Sequence, residues 1–276
     1  MKSADFSYKR ATSPEEALHL YHQAGGEARY LAGGQSLMAA LNFRLDAPEV
    51  LIDISRLGQL SGICEIEGGV RIGATTRHID VTASPTIAAR LPLIARAMAE
   101  VAHPAIRSRG TFGGSIALAD PAAEMPACAL ALGAKMFVLG QRGPRAVAAD
   151  DWCLGTYETA LEPGDLLMHV ELPAQARGTK WGFAELARRR GDYAMAGLAV
   201  VTGDDPRIVF FGVSDRPLRA TAAEQALAGG APLAEVAARA DHDIDVFGDL
   251  NASEAVKRHY MRVLLTRVLN DLQEVA

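Results

Sequence analysis

Leu31-Ala32-Gly33-Gly34-Gln35-Ser36-Leu37 is the stretch on which the reading of this chain turns, and Thr111-Phe112-Gly113-Gly114-Ser115 is its counterpart further on. Each paired glycine frees the backbone for conformations closed to residues with side chains, and lets a ligand approach the main chain closely. Each pair is followed by, or lies near, a predicted helix start, where N–H groups point outward without partners. Together with the hydroxyls of Ser36, Thr111 and Ser115, such N–H groups suit a pyrophosphate without a cluster of lysines. Neither stretch fits G-x-G-x-x-G, and the chain contains no G-x-x-x-x-G-K-[ST], so the Rossmann and P-loop readings have no support. From spacing alone two readings stay open, a pair of ligand-holding loops or a pair of tight turns. Gly25-Gly26, Gly68-Gly69 and Gly229-Gly230 read as turns or helix stops.

Outward from the first pair, the pattern is strand, helix, strand. Ser13 suits an N-cap, Pro14 the first helical position and Glu16 a capping box, with Gly25-Gly26 ending the helix. Ala28–Ala32 reads as a strand, a helix begins near Leu37, and Val50–Ile54 is the next buried strand. Cys64 to Ile72 alternates around Gly68-Gly69 as a hairpin. Helices are predicted over Pro92–Val101 and Ala122–Leu132, with Gly110–Ser115 a glycine-rich stretch between them. Strands flank the turn Gln141-Arg142-Gly143-Pro144, and Asp165–Leu172 closes this section. Pro173–Thr179 reads as a linker. Strands follow over Trp181–Ala187, Tyr193–Val201 and Arg207–Val213, and a last helix over Ser253–Gln273. Met261, Leu264, Leu265, Val268 and Leu272 share one face of that helix, as core packing or a subunit contact.

At 276 residues the chain is long enough for two domains. A net charge of -5 argues against a nucleic-acid partner, since phosphate-backbone binding needs a basic face. The one dense basic run, Arg188-Arg189-Arg190, reads as solvated surface. The start, Met1-Lys2-Ser3-Ala4-Asp5, lacks the apolar stretch of a secretory signal, and the longest apolar run, Tyr193–Val201, is too short to insert in a membrane. Cys64, Cys128 and Cys153 show no ligand spacing, and an iron–sulfur cluster takes four thiolates. A reducing cytoplasm fits, and any redox centre here is bound without cysteine.

The two glycine stretches, with Arg44-Leu45, Ile106–Gly110, Asp120-Pro121-Ala122-Ala123-Glu124, Phe183-Ala184-Glu185 through Arg188-Arg189, Gly191–Ala194 and Gly212-Val213 with Pro217, run in the order of a known family. The chain resembles the FAD-binding medium subunit of the xanthine dehydrogenase and carbon monoxide dehydrogenase (molybdenum hydroxylase) family over nearly its whole length. The resemblance implies an α+β fold: a two-subdomain FAD-binding domain of the vanillyl-alcohol-oxidase (PCMH) type over 1–175, divided near 55, and a smaller C-terminal sheet-and-helix domain over 178–276. It assigns FAD to Leu31, Ala32, Gly33, Gly34, Gln35, Ser36, Leu37, Ala102, Thr111, Gly113, Gly114, Ser115, Asp120, Glu124, Leu167 and Tyr193, and gives this chain neither a catalytic acid or base nor a metal. Asp120 and Glu124 would lie by the ribityl or ribose region, and Tyr193 near the isoalloxazine ring. Ser115 stands where many relatives carry Asn, Glu124 where many carry Asp, and Glu185 where some carry Lys; Glu185 receives no role.

The same resemblance implies partners: a 2Fe-2S small subunit and a large subunit with the molybdopterin cofactor, assembled as a dimer of heterotrimers. Electrons from the clusters would reach FAD on this chain and pass to NAD, oxygen, a quinone or another carrier. A self-sufficient FAD-dependent oxidase or reductase is the alternative, and a non-redox phosphate-binding protein a third class. Of the remaining residues, His19 and His22 lack a third ligand and read as ordinary histidines. His103-Pro104 shapes a loop, and Trp181 and Phe183 read as strand packing.

Overall fold

The computed structural model describes residues 2–174 and 178–274. Strand β1 (Ser7–Arg10), helix α1 (Pro14–Gln23), β2 (Ala28–Leu31), α2 (Leu37–Asn42) and β3 (Val50–Asp53) form the first layer, a parallel sheet of order β1-β3-β2. The predicted start of α1 is present: Ser13 Oγ accepts the Glu16 N–H at 3.1 Å and Pro14 occupies the first turn. The box is displaced by one residue, because Glu16 Oε2 takes the Thr12 N–H (2.6 Å) instead of that of Ser13. Gly25, at φ +61°, ends the helix as its sequence predicts. Ala17, Leu18 and Tyr21 of α1 pack with Val50 and Ile52 of the central strand.

The second layer begins with the hairpin β4 (Ile63–Ile66) and β5 (Gly69–Gly73). Helices α3 (His78–Ala83), α4 (Pro85–Arg90), α5 (Pro92–Met98), α6 (Pro104–Arg107), α7 (Phe112–Leu118) and α8 (Glu124–Ala131) follow. Then come β6 (Lys135–Gly140), β7 (Gly143–Ala148), the small pair β8 (Cys153–Gly155) and β9 (Glu158–Thr159), and β10 (Leu166–Pro173). The five-stranded antiparallel sheet runs β4-β5-β10-β6-β7, so β10 returns late in the chain to fill its centre. The second glycine pair is not a loop. Gly113 and Gly114 lie in the first turn of α7, and Thr111 Oγ1 caps it by accepting the Gly114 N–H at 3.1 Å. Helix α8 is buried along Met125–Ala131 on every side, as its unbroken Ala/Leu composition requires.

The third layer is the antiparallel meander β11 (Trp181–Leu186), β12 (Ala196–Val201), β13 (Arg207–Phe211) and β14 (Leu218–Arg219), backed by α9 (Thr221–Ala228), α10 (Leu233–Ala238) and α11 (Glu254–Glu274). Strand β12 starts at Ala196 rather than Tyr193. Its unbroken apolar run is explained by burial on both faces. Ala196, Leu198 and Val200 face α9–α11, while Ala199, with Phe183, Val209 and Phe211, joins the core of the second layer. Met261, Leu264, Leu265 and Val268 of α11 are buried with Ala196, Leu198 and Val200 in the core of the third layer, so the predicted stripe is intramolecular packing.

Two charged groups, Asp150 at the surface and the buried Lys257, tie the third layer to the second. Asp150 accepts from Arg207 (2.9 Å) and Arg219 (3.1 Å). Lys257 of α11 donates to the Gly212 carbonyl and pairs with Asp249, both at 2.7 Å, and the Gly212 N–H donates to the Pro121 carbonyl, also at 2.7 Å. The predicted linker at 173–179 opens on the last residue of β10, and its residues 175–177 lie outside the described residues. No helix among the described residues is long and apolar enough to cross a membrane.

Trp152 is fully buried beneath α7, and its indole N–H donates to the Ile116 carbonyl at 2.9 Å. Trp152→Ala removes that bond and leaves a large void, so it is expected to lower the unfolding free energy by about 3–5 kcal/mol in urea titrations. A loss under about 1 kcal/mol would mean that α7 is held by other contacts.

Candidate functional site

Between the three layers runs one cleft of ≈ 760 Å³, within the range of about 300–1,000 Å³ usual for cofactor sites. Its first wall is the β2–α2 turn, Ala32 to Leu37. Gly34 holds φ +72°, which favours glycine. Gly33 has no φ requirement but a spatial one. A Cβ there would lie 2.3 Å from the Arg109 carbonyl oxygen and 2.9 Å from Gly110 Cα. The facing wall is Gly110 to Ser115, and here Gly113 is pressed against β5's end, where a Cβ would come within 2.4 Å of Ala74 Cα. That contact is locked by the Gly113 N–H donating to the Ala74 carbonyl (2.9 Å) and the Phe112 N–H to the Thr76 carbonyl (2.8 Å).

The third wall comes from the C-terminal layer. Gly191, Asp192 and Tyr193 close over Ala102 and His103, and a Cβ on Gly191 would stand 2.7 Å from the Ala102 carbonyl oxygen. Ala102 itself is held in the left-handed region (φ +44°). Arg107 Nη1 fixes this turn by donating to the Val101 (2.6 Å) and Ala102 (2.9 Å) carbonyls. His103 and Pro104 start α6, consistent with the loop-shaping role read for them. Leu167 lies where the pairing of β10 with β6 shifts register, and Leu166 and Leu167 face the cleft beside Ile54.

Of the residues singled out in the sequence, Ala32 to Leu37, Ala102, Thr111, Gly113, Gly114, Ser115, Asp120, Glu124, Leu167 and Tyr193 line this cleft, while Leu31 does not. Leu31 packs behind the turn, its Cδ1 3.2 Å from where Gly34 would carry a Cβ. Tyr193 is 74% exposed at the mouth. Asp120 accepts from the Tyr157 hydroxyl (3.1 Å) and caps the turn into α8 through the Ala122 N–H (2.9 Å). Sequence reasoning passed over Ile54, Thr75, His78 and Asp165, which also line it. Asp165 is committed to Arg145 (2.6 Å) and the Glu162 N–H (2.7 Å). The Arg188–Arg190 run is exposed, and Arg190 approaches Glu100 at 3.5 Å.

On the Glu124 side of the cleft the electrostatics are acidic. Burial pushes the Glu124 carboxyl up to about 7, with Asp120 and Glu100 adding to the shift. Glu185 on β11 is pushed up to about 8, by burial first and then by Glu124 and Glu100, while Arg96 opposes the shift. Glu185 Oε2 has no hydrogen-bond partner among the described residues. The site thus favours a protonated carboxyl near neutral pH. Among the described residues no group of three His, Cys, Asp or Glu side chains is arranged for a metal ion.

Residues 4–175 match the family described as the FAD binding domain in molybdopterin dehydrogenase, and residues 181–272 the CO dehydrogenase flavoprotein C-terminal domain. The chain belongs to this family of FAD subunits. The carbon monoxide dehydrogenase medium chain of Hydrogenophaga pseudoflava is 39% identical over 96% of both chains. The 6-hydroxypseudooxynicotine dehydrogenase complex subunit alpha of Paenarthrobacter nicotinovorans is 36% identical over 98% of this chain and 95% of that one. Among solved structures, carbon monoxide dehydrogenase from Hydrogenophaga pseudoflava superposes with a TM-score of 0.95, covering 99% of each chain at 39% identity. Quinoline 2-oxidoreductase from Pseudomonas putida 86 follows at 0.94, with 34% identity over 100% of this chain and 99% of that one. The cleft walls of this FAD subunit fit a flavin dinucleotide. They offer bare main chain at both glycine pairs and carry no lysine.

The raised carboxyls fix a pH dependence. A carboxyl whose folded pKa lies above its ordinary value of 4.5 binds a proton more tightly folded than unfolded, so it supports stability at low pH and loses that support as pH rises through the folded value. The melting temperature of the flavin-free chain is expected to fall between about pH 5 and pH 8. Glu185→Gln should flatten that fall; an unchanged slope in differential scanning fluorimetry would show that the pair does not titrate there.

Proposed function

We propose that this FAD subunit holds its cofactor in the cleft between its three layers and passes electrons from 2Fe-2S clusters on one partner subunit to an acceptor. In this reading a second partner oxidises substrate at the molybdopterin cofactor, and the assembly is a cytoplasmic dimer of heterotrimers. The observation that carries it is the convergence of two glycine pairs on one cleft, each pair excluding a side chain by contact with backbone, Gly33 on Arg109 and Gly113 on Ala74. Support for partners comes from relatives, which are named as a medium chain and as a subunit of a dehydrogenase complex.

In this reading the lining residues divide the labour. Ala32 to Ser36 and Thr111 to Ser115 hold the pyrophosphate with main-chain N–H groups and hydroxyls. Asp120 and Glu124 take the ribityl or ribose hydroxyls, Leu37, Ala102 and Leu167 line the apolar walls, and Leu31 supports the first turn from behind. Tyr193, on the C-terminal layer, covers one face of the isoalloxazine and limits access to it. Bound FAD supplies the conversion between one-electron and two-electron transfer. The chain's own residues bind it, orient it and keep water from part of it. The working units are 1–55 and 56–175, which flank the cofactor, and 178–276, which closes over it.

Gly34→Val puts a branched side chain at a positive φ, and Gly114→Leu drives a side chain toward Thr111 Oγ1, 2.7 Å from the first added carbon. Each is expected to remove bound FAD, read from the visible spectrum, while far-ultraviolet circular dichroism stays near that of the parent chain. Stoichiometric FAD in both would refute the assignment of the two turns. Tyr193→Ala, at an exposed position, is expected to retain FAD and to alter the rate at which the reduced complex reacts with acceptors in stopped flow. Identical acceptor kinetics would remove its gating role.

A further inference from the structure

Three buried polar atoms at the floor of the cleft have nothing to bond. Thr75 and His78 are 5% and 6% exposed, and Thr75 Oγ1, His78 Nδ1 and His78 Nε2 have no hydrogen-bond partner among the described residues. Both residues line the cleft. The backbone N–H groups of both residues are engaged: that of Thr75 donates to the Leu60 carbonyl (2.8 Å), and that of His78 to the Gly110 carbonyl (2.9 Å). Thr76, between them, is satisfied in both directions, accepting from the Gly62 N–H (2.9 Å) and donating to the Gly62 carbonyl (3.1 Å). So the bonds are not missing because the segment is loose. A polar group taken out of water and left unpaired is costly, and such groups are rare in folded proteins unless something else meets them.

We propose that His78 and Thr75 bind the diphosphate of the cofactor through their side chains, an inference that rests on the reading of the cleft as the FAD site. Position argues for the diphosphate over other parts of the molecule. His78 Nδ1 is 3.3 Å from where Gly110 would carry a Cβ, and Gly110 Cα is in turn 2.9 Å from the corresponding point on Gly33. The imidazole therefore sits under the place where the two glycine segments meet. Chemistry argues the same way. Burial lowers the His78 pKa to about 4, opposed by the nearby Thr111 backbone, which lies outside hydrogen-bonding geometry, and helped by the Arg107 charge, so the ring is neutral at physiological pH and offers an N–H. The Thr75 hydroxyl offers a second donor. Diphosphate oxygens accept only, and two donors from the β5–α3 connection would extend to a third direction the N–H groups of the two glycine turns.

The test strips the full chain of flavin and titrates FAD, ADP and riboflavin into the parent chain, His78→Leu, His78→Gln and Thr75→Val, with melting of each flavin-free protein as the control. ADP carries the diphosphate and riboflavin does not. Loss of a hydrogen bond to a charged group corresponds to roughly a 10- to 100-fold weaker complex. His78→Leu and Thr75→Val are expected to weaken FAD and ADP by that factor and to leave riboflavin unchanged, while His78→Gln, which keeps a donor, recovers most of the loss. Unchanged FAD affinity in both His78→Leu and Thr75→Val overturns the inference, and assigns the orphaned atoms to buried water. A loss confined to riboflavin overturns it in favour of the ribityl chain. Should His78→Leu fail to fold, the near-isosteric Thr75→Val decides by the same criteria. A parent chain that binds ADP and FAD no better than an unrelated protein overturns the reading of the cleft itself, which separates that failure from the narrower one.

Discussion

Gly33 and Gly113 each occupy a point where another stretch of backbone leaves no room for a methyl group. Gly33 lies against Arg109 and Gly110, Gly113 against Ala74, and between them they fasten the β2–α2 turn, the segment before α7 and the end of β5 into one block. These three pieces come from two different sheets. Everything else about the cleft follows from their meeting. The turn cannot move without α7, α7 cannot move without β5, and β5 is held in the sheet by β10 from the far end of the same layer. A binding surface made of main chain has a particular virtue for an anionic ligand, since its donors cannot rotate away and carry no charge that must be buried when the ligand leaves. In the proposed reading, this is what lets a chain of net charge -5, with the half-buried Glu124 in its cleft wall and Glu185 nearby, take a diphosphate.

Much of this was legible beforehand, and the failures have physical reasons. The α1 start, the first glycine turn, the β4–β5 hairpin and the α11 stripe carry strong local signals, and the structure has them close to where the sequence puts them. From sequence, Gly113-Gly114 reads as a loop or tight turn, since glycine disfavours a helix interior by about 1 kcal/mol. The contact with Ala74 outweighs that preference, and no local pattern announces it. Helices α3, α4 and α6 are too short to show a periodicity, although Ser84-Pro85 is a start signal that would have found α4, since Ser84 Oγ accepts the Ile87 N–H at 3.3 Å. The unbroken apolar run extends the predicted strand back to Tyr193, whereas Gly191–Tyr193 lie in a connection that lines the cleft before β12 begins at Ala196.

The cleft floor was the least legible part. Ile54, Thr75 and Leu166 reach it from the ends of strands in two sheets and His78 from the start of α3, and their meeting depends on pairings such as β5 with β10 that join residues a hundred positions apart, Arg71 with Glu171 among them. The motif residues, by contrast, lie on two short continuous stretches, which is why resemblance could name them. Leu31 shows the limit of that route: it belongs to the motif and not to the wall.

Lys257 gives the arrangement a direction in time. It sits on α11, buried, and holds the Gly212 carbonyl, while the Gly212 N–H holds Pro121 at the entrance to α8. During synthesis the first two sheets leave the ribosome well before α11 does, so both glycine segments can form before the wall carrying Tyr193 has its support. A nascent chain would pass through a stage with the cleft formed and its cover loose. Cofactor loading through the open side would then precede the last tie, and α11 would act less as a strut than as a latch set after filling.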